Sequence, residues 1–416
     1  MPLWTQKICR SLLKPEFREN PEKACRVIVE MASPYTDKIM TFVEENAGKV
    51  HRELRIIPLM VIEAPYETFK AMAMLPHVRK IWNDTKVKTL LDVAIPSAGG
   101  AKAHELGFTG KDVTVAVIDT GVFTHPDLLY PTNRIVGWND LVNQRPIPYD
   151  DNGHGTHVSG IIAGNGVTSR GKYIGMAPET NLVCLKVLDN EGAGNISDAI
   201  SALEWCVENQ ETYNIKAINM SFGAAAEESA WEDPLCRAVS SAWNKGMVVC
   251  VAAGNDGPDF RSINSPGISP NAITVGNLDD KDTLETDDDI MNDSSSRGPT
   301  IDNLMKPDIL APGTNITSLR VGGGYKSLSG TSMATPMVTG AVAQIYQQWP
   351  DLKPDQIKGF LRRNSRGLGF QSGYGSGALN VDGFFEENKK SNTLKDAIYG
   401  LLFGSGPLVK KPLSKR

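Results

Sequence analysis

The stretch VTVAVIDTG, residues 113–121, carries the reading of the fold. Six apolar or β-branched residues run unbroken into Asp119, Thr120 and Gly121, a length suited to a strand. A strand without apolar/polar alternation is buried on both faces, as in a parallel sheet covered by helices. Four more stretches read the same way: NLVCLKV (181–187), KAINMS (216–221), GMVVCVAA (246–253) and AITVG (272–276). Helical patterns at 154–164, 196–209 and 231–243 alternate with them, and two more follow at 332–348 and 354–363. The expected fold is α/β: three layers, a mainly parallel sheet flanked by helices.

Upstream the pattern differs. RVIVEM (26–31), a helical stretch at 35–47, the β-prone run VHRELRIIPLMVIEA (50–64), a helix at 66–74 and HVRKIWND (77–84) spell a small α+β unit of the βαββαβ kind. Pro96 and Gly99-Gly100 give residues 85–108 the chemistry of a linker. After about Phe385 the chain turns polar and basic, a tail whose DAIYGLL could dock as a short amphipathic helix. The expected division is an extension at 1–24, the βαββαβ domain at 25–93, the α/β domain at 94–384 and the tail at 385–416.

Composition narrows the function. The 416 residues are 41% hydrophobic and 22% charged, values ordinary for a soluble globular chain. A net charge of −5 gives no electrostatic case for nucleic acid or an anionic membrane, and no segment has the length and apolarity of a membrane span. MPLWTQKICRSLLKPEFREN lacks the apolar core and cleavage site of a secretory signal. The six scattered cysteines, none in CxxC spacing, read as reduced and mostly buried. A cytoplasmic location is expected, with non-classical export as the alternative.

Asp119 ends its strand, and open parallel sheets gather functional groups at the carboxyl ends of their strands. Alone, Asp-Thr-Gly could equally be a turn. In DNGHGTHVSG (151–160), Gly153 and Gly155 allow close backbone approach around His154 in a helix's first turn. His157 reads as a packed neighbour. HGTH lacks the i,i+4 histidine pair and the glutamate of a zinc protease helix. In LSGTSMATP (328–336), Ser332 opens the long helix; an isolated serine there is usually a cap, but small neighbours leave this hydroxyl accessible. The segment is not the Gly-x-Ser-x-Gly elbow of lipases and esterases.

DTG, HGTH and GTSMATP, in that order, resemble the subtilisin-like serine proteases, the subtilases; the order Asp, His, Ser is a known attribute of subtilisin. INMSFG (218–223), VAAGN (251–255), SSRGP (295–299) and KPDILAPG (306–313) add to the resemblance, which spans roughly residues 94–384. It implies a serine endopeptidase with Ser332 as nucleophile, His154 as base, Asp119 orienting the imidazole and Asn255 stabilising the oxyanion. It also implies protein and peptide substrates. Gly192-Ala193-Gly194 and Ser221-Phe222-Gly223 would pair with an extended peptide, and Ala252, Gly254 and Asn264 would border the pocket for the residue before the scissile bond. Asn264 stands where relatives often carry a smaller residue. No cofactor is implied for catalysis. Structural calcium is a possibility at Asp127, which matches a family ligand although the partner loop GNGVTSRGKYIGMAP lacks the usual asparagines. The acidic insertion beginning at Asp279 has hard-oxygen chemistry, with a solvated acidic loop as the alternative. The βαββαβ unit resembles the family's prosegment, a folding aid and inhibitor. Without a signal peptide, the whole chain is most similar to the AprX-type cytoplasmic alkaline serine proteases of bacilli. A non-catalytic peptide-binding relative and an ester hydrolase are the competing readings.

Overall fold

The computed structural model describes residues 3–13, 20–32, 37–54, 59–83, 91–368, 373–382 and 384. The tail with its DAIYGLL segment lies outside the described residues, as does the junction at 84–90. The chain divides into two compact units, Met1–Val87 and Lys88–Arg416.

In the first unit, strands β1 (Cys25–Met31), β2 (Lys49–Leu54), β3 (Leu59–Ala64) and β4 (Val78–Asn83) and helices α1 (Asp37–Glu45) and α2 (Tyr66–Met74) follow in βαββαβ order. The sheet order is β2-β3-β1-β4, with β1 antiparallel to both neighbours. β1 alternates, burying Val27, Val29 and Met31, as a sheet covered on one face should. Phe69 and Met72 of α2 complete that core. The stretch expected to be an extension takes part in it. Ile8 and Leu12 are buried there, and the Cys9 N–H donates to the Ile81 carbonyl at 2.9 Å.

The second unit opens with α3 (Leu91–Ser97) and α4 (Gly100–Glu105), where the sequence suggested a linker. Ala94, Ile95, Ala98 and Ala103 are buried in the main core. Pro96 falls in the last turn of α3, and Gly99, with φ of 85°, caps α4. These residues therefore punctuate two helices rather than mark a flexible connection.

The main sheet comprises β5 (Thr114–Asp119), β6 (Ile135–Asp140), β7 (Asn181–Lys186), β8 (Ile215–Met220), β9 (Val248–Ala252), β10 (Ile273–Asp279), β11 (Ile290–Met291) and β12 (Ile309–Pro312). Its order is β11-β10-β9-β8-β5-β7-β6, with β12 also on β10. Every pairing is parallel except β10 with β11. All six residues of β5 and all five of β9 are buried, as their unbroken apolar sequences require. A separate hairpin joins β13 (Ile316–Leu319) to β14 (Tyr325–Leu328).

The helices that cover the sheet are α5 (Pro126–Leu129), α6 (His154–Ala163), α7 (Ile196–Glu208), α8 (Gln210–Tyr213), α9 (Pro234–Asn244), α10 (Thr331–Gln348) and α11 (Pro354–Arg363). α6 packs on α10 and α7 on α9, each pair against the sheet. α10 is buried almost throughout, so its interior polar groups need internal partners. Thr339 donates to Asn219 of β8 at 2.8 Å, and Gln344 to the Met176 carbonyl at 2.6 Å. Among the described residues, no helix is long and apolar enough to cross a membrane.

Candidate active site

Four sheet strands deliver the site. Asp119 closes β5, Ser221 follows β8, Ala252 closes β9 and Lys186 closes β7, so the functional groups gather along the carboxyl edge of the sheet. Asp119 is fully buried, and its Oδ1 accepts from the Thr120 N–H and from His154 Nδ1, both at 2.7 Å. A carboxylate can only accept, so in neutral His154 the proton sits on Nδ1 and Nε2 keeps its lone pair. Burial disfavours the imidazolium of His154. The Asp119 charge and hydrogen bond, helped by Asp150, outweigh that cost and raise its pKa above the ordinary imidazole value.

The approach of α6 to Asp119 depends on glycine. A Cβ on Gly155 would sit 2.2 Å from the Gly121 carbonyl oxygen and 3.1 Å from Asp119 Cβ. The carboxylate of Asp150 then ties the two loops together. Its Oδ1 accepts from Thr120 Oγ1 (3.0 Å), the Asn152 N–H (3.1 Å) and the Gly153 N–H (2.7 Å). Its Oδ2 accepts from the N–H and hydroxyl of Thr156 at 2.9 and 2.6 Å. Burial alone would raise the Asp150 pKa, but these donors hold it below the usual carboxylate range. Lys186, also fully buried, donates to the Thr120 and Leu188 carbonyls and to Asp151.

Ser332 is the second residue of α10, and its hydroxyl donates to the Ser221 carbonyl at 2.8 Å. The helix starts one residue before the expected position, which puts Pro336 just past the first turn. The N–H that proline lacks is the one that would have reached the Ser332 carbonyl. Asn255 Oδ1 accepts from the N–H and hydroxyl of Thr331 at 3.0 and 3.1 Å. The main-chain N–H is an obligatory donor, so the orientation of the amide is fixed and its NH₂ is turned away from Thr331.

His154, Ser332 and Asn255 line one cleft of about 380 Å³, together with Gly192, Ser221, Phe222, Gly223, Ala252, Gly254 and Asn264. Ala193 and Gly194 line an adjoining hollow of about 220 Å³ with Leu188, Ile196 and Leu235. Asp189 takes both main-chain groups of Ala193, its N–H donating to the Ala193 carbonyl at 2.7 Å and its Oδ1 accepting from the Ala193 N–H at 3.0 Å. Gly254 has φ of 106°, and a Cβ there would meet the Asn264 side chain at 2.8 Å, so Asn264 closes in on the glycine. Sequence reasoning missed Thr120, Asn152, Leu188 and Glu191, which also line the cleft. It missed Asp150 as well, although an acceptor four residues before His154, at a helix start, is a capping signal.

His157 is buried, with Nε2 against the Ile316 and Lys326 carbonyls at 3.0 and 3.1 Å. Burial drives its pKa down to about 3, so it is a neutral packed residue.

The two suggested metal positions do not fit a calcium ion. Asp127 is fully buried; its Oδ1 accepts from the N–H and hydroxyl of Thr168 (2.9 and 2.6 Å), and its Oδ2 from the Tyr325 hydroxyl at 2.7 Å. The Arg134 guanidinium donates to the Asp127 main-chain carbonyl, so a side-chain cation already stands beside it. Asp279 is paired with Lys281 at 2.6 Å. Among the described residues, no three His, Cys, Asp or Glu side chains converge as a metal site.

Comparison with known proteins places the chain in one family. The sequence profile described as "Subtilase family" matches residues 110–383. The serine protease AprX of Bacillus subtilis is 46% identical over 329 residues, covering 74% of this chain and 74% of that protein. The M-protease of Shouchella clausii is 34% identical over 367 residues, 87% of this chain and 89% of that one. Among solved structures, a psychrophilic protease is 35% identical, with a TM-score of 0.58, covering 66% of this chain and 92% of its own. A cold-adapted subtilisin-like serine proteinase is 33% identical, with a TM-score of 0.53 and coverage of 66% and 90%.

Proposed function

The chain belongs to the subtilase family and is a serine endopeptidase, and on that premise we propose that it cuts proteins through an acyl-enzyme on Ser332. A serine hydroxyl is a poor nucleophile until a base takes its proton, and Nε2 of His154 is the basic lone pair in the cleft. A turn about the Ser332 Cα–Cβ bond exchanges the Ser221 carbonyl for that imidazole. As Oγ bonds to the scissile carbonyl carbon, its proton passes to Nε2, and Asp119, remaining ionised, stabilises the imidazolium. The oxyanion is received by the Asn255 amide and by the Ser332 N–H in the first turn of α10, where helical amides lack an intrahelical acceptor. Collapse breaks the C–N bond while His154 returns the proton to the leaving amine. Water then repeats the sequence and frees Ser332.

Main-chain groups around Gly192–Gly194 and Ser221–Gly223 are the proposed partners of an extended peptide, giving affinity with little sequence demand. Because Asp189 takes both main-chain groups of Ala193 and the Gly192 N–H, the first edge works through the Gly192 carbonyl and Gly194. Ala252, Gly254 and Asn264 wall the pocket for the residue before the cut. No cofactor takes part in these steps. The first unit, Met1–Val87, is proposed as an inhibitory prosegment that the enzyme removes. Cys184, Cys206, Cys236 and Cys250 are buried thiols, which suits a reducing compartment, so we assign the protein to the cytoplasm.

The observation that carries the reading is the 2.7 Å Asp119–His154 pair opening on the same cleft as Ser332 and Asn255. Casein turnover tests it: Ser332→Ala, which loses the nucleophile and little volume, is expected to abolish cleavage. Residual activity within about tenfold of the parent would sink the assignment.

A further inference from the structure

Among the described residues that line the catalytic cleft, Glu191 is the one that carries a fixed charge. It stands on the turn that follows β7. The Asp119 carbonyl accepts from the N–H groups of Val187 and Leu188 at 2.9 and 3.3 Å, which sets Leu188 beside the carboxyl end of β5. The chain then reverses over residues 189–193, where the Asp189 N–H donates to the Ala193 carbonyl at 2.7 Å and the Gly192 N–H to the Asp189 carbonyl at 3.2 Å. Asp189 Oδ1 accepts from the N–H groups of Glu191 and Ala193 at 2.8 and 3.0 Å. Asn152, two residues before His154, donates through Nδ2 to the Asn190 carbonyl at 3.1 Å and fastens the turn to the histidine loop. The backbone of Glu191 is therefore held in place. Its side chain is exposed, and its carboxylate takes no hydrogen bond or ion pair among the described residues. An anchored tip that presents a free carboxylate at the lip of the cleft serves none of the hydrolytic steps.

It can serve substrate choice. In an extended peptide, successive side chains point to opposite sides. With the side chain before the cut among Ala252, Gly254 and Asn264, the next one toward the amino terminus is directed at the rest of the lining: Asn152, His154, Leu188 and Glu191. Leu188 offers apolar surface to an aliphatic stem, and a long side chain lying on it carries its head out to the lip. We infer that Glu191 selects lysine or arginine as the second residue before the scissile bond. The inference rests on the proteolytic reading and on that peptide direction. The nearby charges leave this role to Glu191: Lys186 is buried and paired with Asp151 at 2.6 Å, Asp189 turns its Oδ1 onto the main chain of the turn, and Lys326, whose charge acts on His154, does not line the cleft.

The test measures kcat/KM of the active enzyme on short blocked peptides that end in a chromogenic amide, with leucine before the cut and lysine or its Nε-acetyl form in second place. Acetylation keeps the stem and removes the charge, so the ratio of the two values within each enzyme reads the charge alone. In the parent the ratio should be about 2- to 5-fold in favour of lysine, the range of a solvent-exposed ion pair. About 1 M sodium chloride should bring it close to one. Glu191→Gln should give a ratio near one at low salt, and Glu191→Lys should invert it. A parent ratio near one, a preference that survives Glu191→Gln, or a preference insensitive to salt would overturn the inference while the proteolytic reading stands. Failure of the parent to cleave any of these peptides or casein would overturn that reading, and the inference with it.

Discussion

Asp150→Asn is the substitution through which the geometry of the site can be examined most closely. Asparagine has nearly the same shape but turns one acceptor into a donor. If its oxygen keeps the Oδ1 position, bonds from Thr120, Asn152 and Gly153 survive without the anionic charge, while its NH₂ faces the Thr156 N–H. One buried donor left unpaired costs about 1–3 kcal/mol, and three weakened bonds add roughly 0.5–1 kcal/mol each, giving about 2.5–6 kcal/mol in all. That is a large share of the roughly 5–15 kcal/mol that holds a typical domain together. The loss should depend on pH with a definite sign. The folded pKa of Asp150 is depressed, so its stabilisation is complete above the ordinary carboxylate range and disappears as pH falls through the lower folded value. The gap between parent and variant should therefore narrow in acid. Asp150 also raises the pKa of His154, so the acid limb of kcat/KM should move to lower pH, together with a fall in kcat. Urea unfolding in a Ser332→Ala background reads the stability, and a pH–rate profile in the active background reads the limb. A stability loss under about 1 kcal/mol, or a limb that stays or moves upward, would refute the assignment of Asp150 as the tie between Asp119 and His154.

Two further expectations bear on the cleft and the first unit. Asn255→Ala should lower kcat by roughly 10²- to 10³-fold with little change in KM; an effect confined to KM would assign the amide to substrate positioning. Active enzyme should lose an amino-terminal fragment of about 10 kDa that Ser332→Ala retains, and the fragment added back should inhibit; full-length mass with full activity and no inhibition would identify a permanent accessory domain.

What was legible in the sequence follows from burial. β5, β7, β8, β9 and the start of β10 lie within a residue or two of the apolar runs, because a strand covered on both faces must be apolar throughout. β6, with buried and exposed residues intermingled in IVGWND, lacks that signal, and β11 to β14, two to four residues each, are too short to show a period. α9 starts at Pro234, three residues after the expected position, because Asp233 caps it by accepting from the Cys236 N–H at 2.8 Å. α3 and α4 were hidden by Pro96 and Gly99, whose meaning depends on tertiary packing. At the site, the residue types that do chemistry could be named from motifs. The acceptors that orient them, Asp150 for the His154 loop and Asp189 for the 192–194 edge, act through hydrogen bonds to main-chain groups and leave little trace in side-chain patterning. The surroundings of Asp127 were hidden for a related reason: Thr168 and Tyr325, distant in sequence, donate to its carboxylate.

The central claim is that Ser332 is a nucleophile activated by His154 and Asp119. Labelling the full chain with a fluorophosphonate and locating the adduct by peptide mass spectrometry tests this most directly. One adduct per chain on Ser332, absent from Ser332→Ala and strongly slowed in His154→Ala, is the expected result. No adduct, or an adduct on another residue that persists in Ser332→Ala, would contradict it.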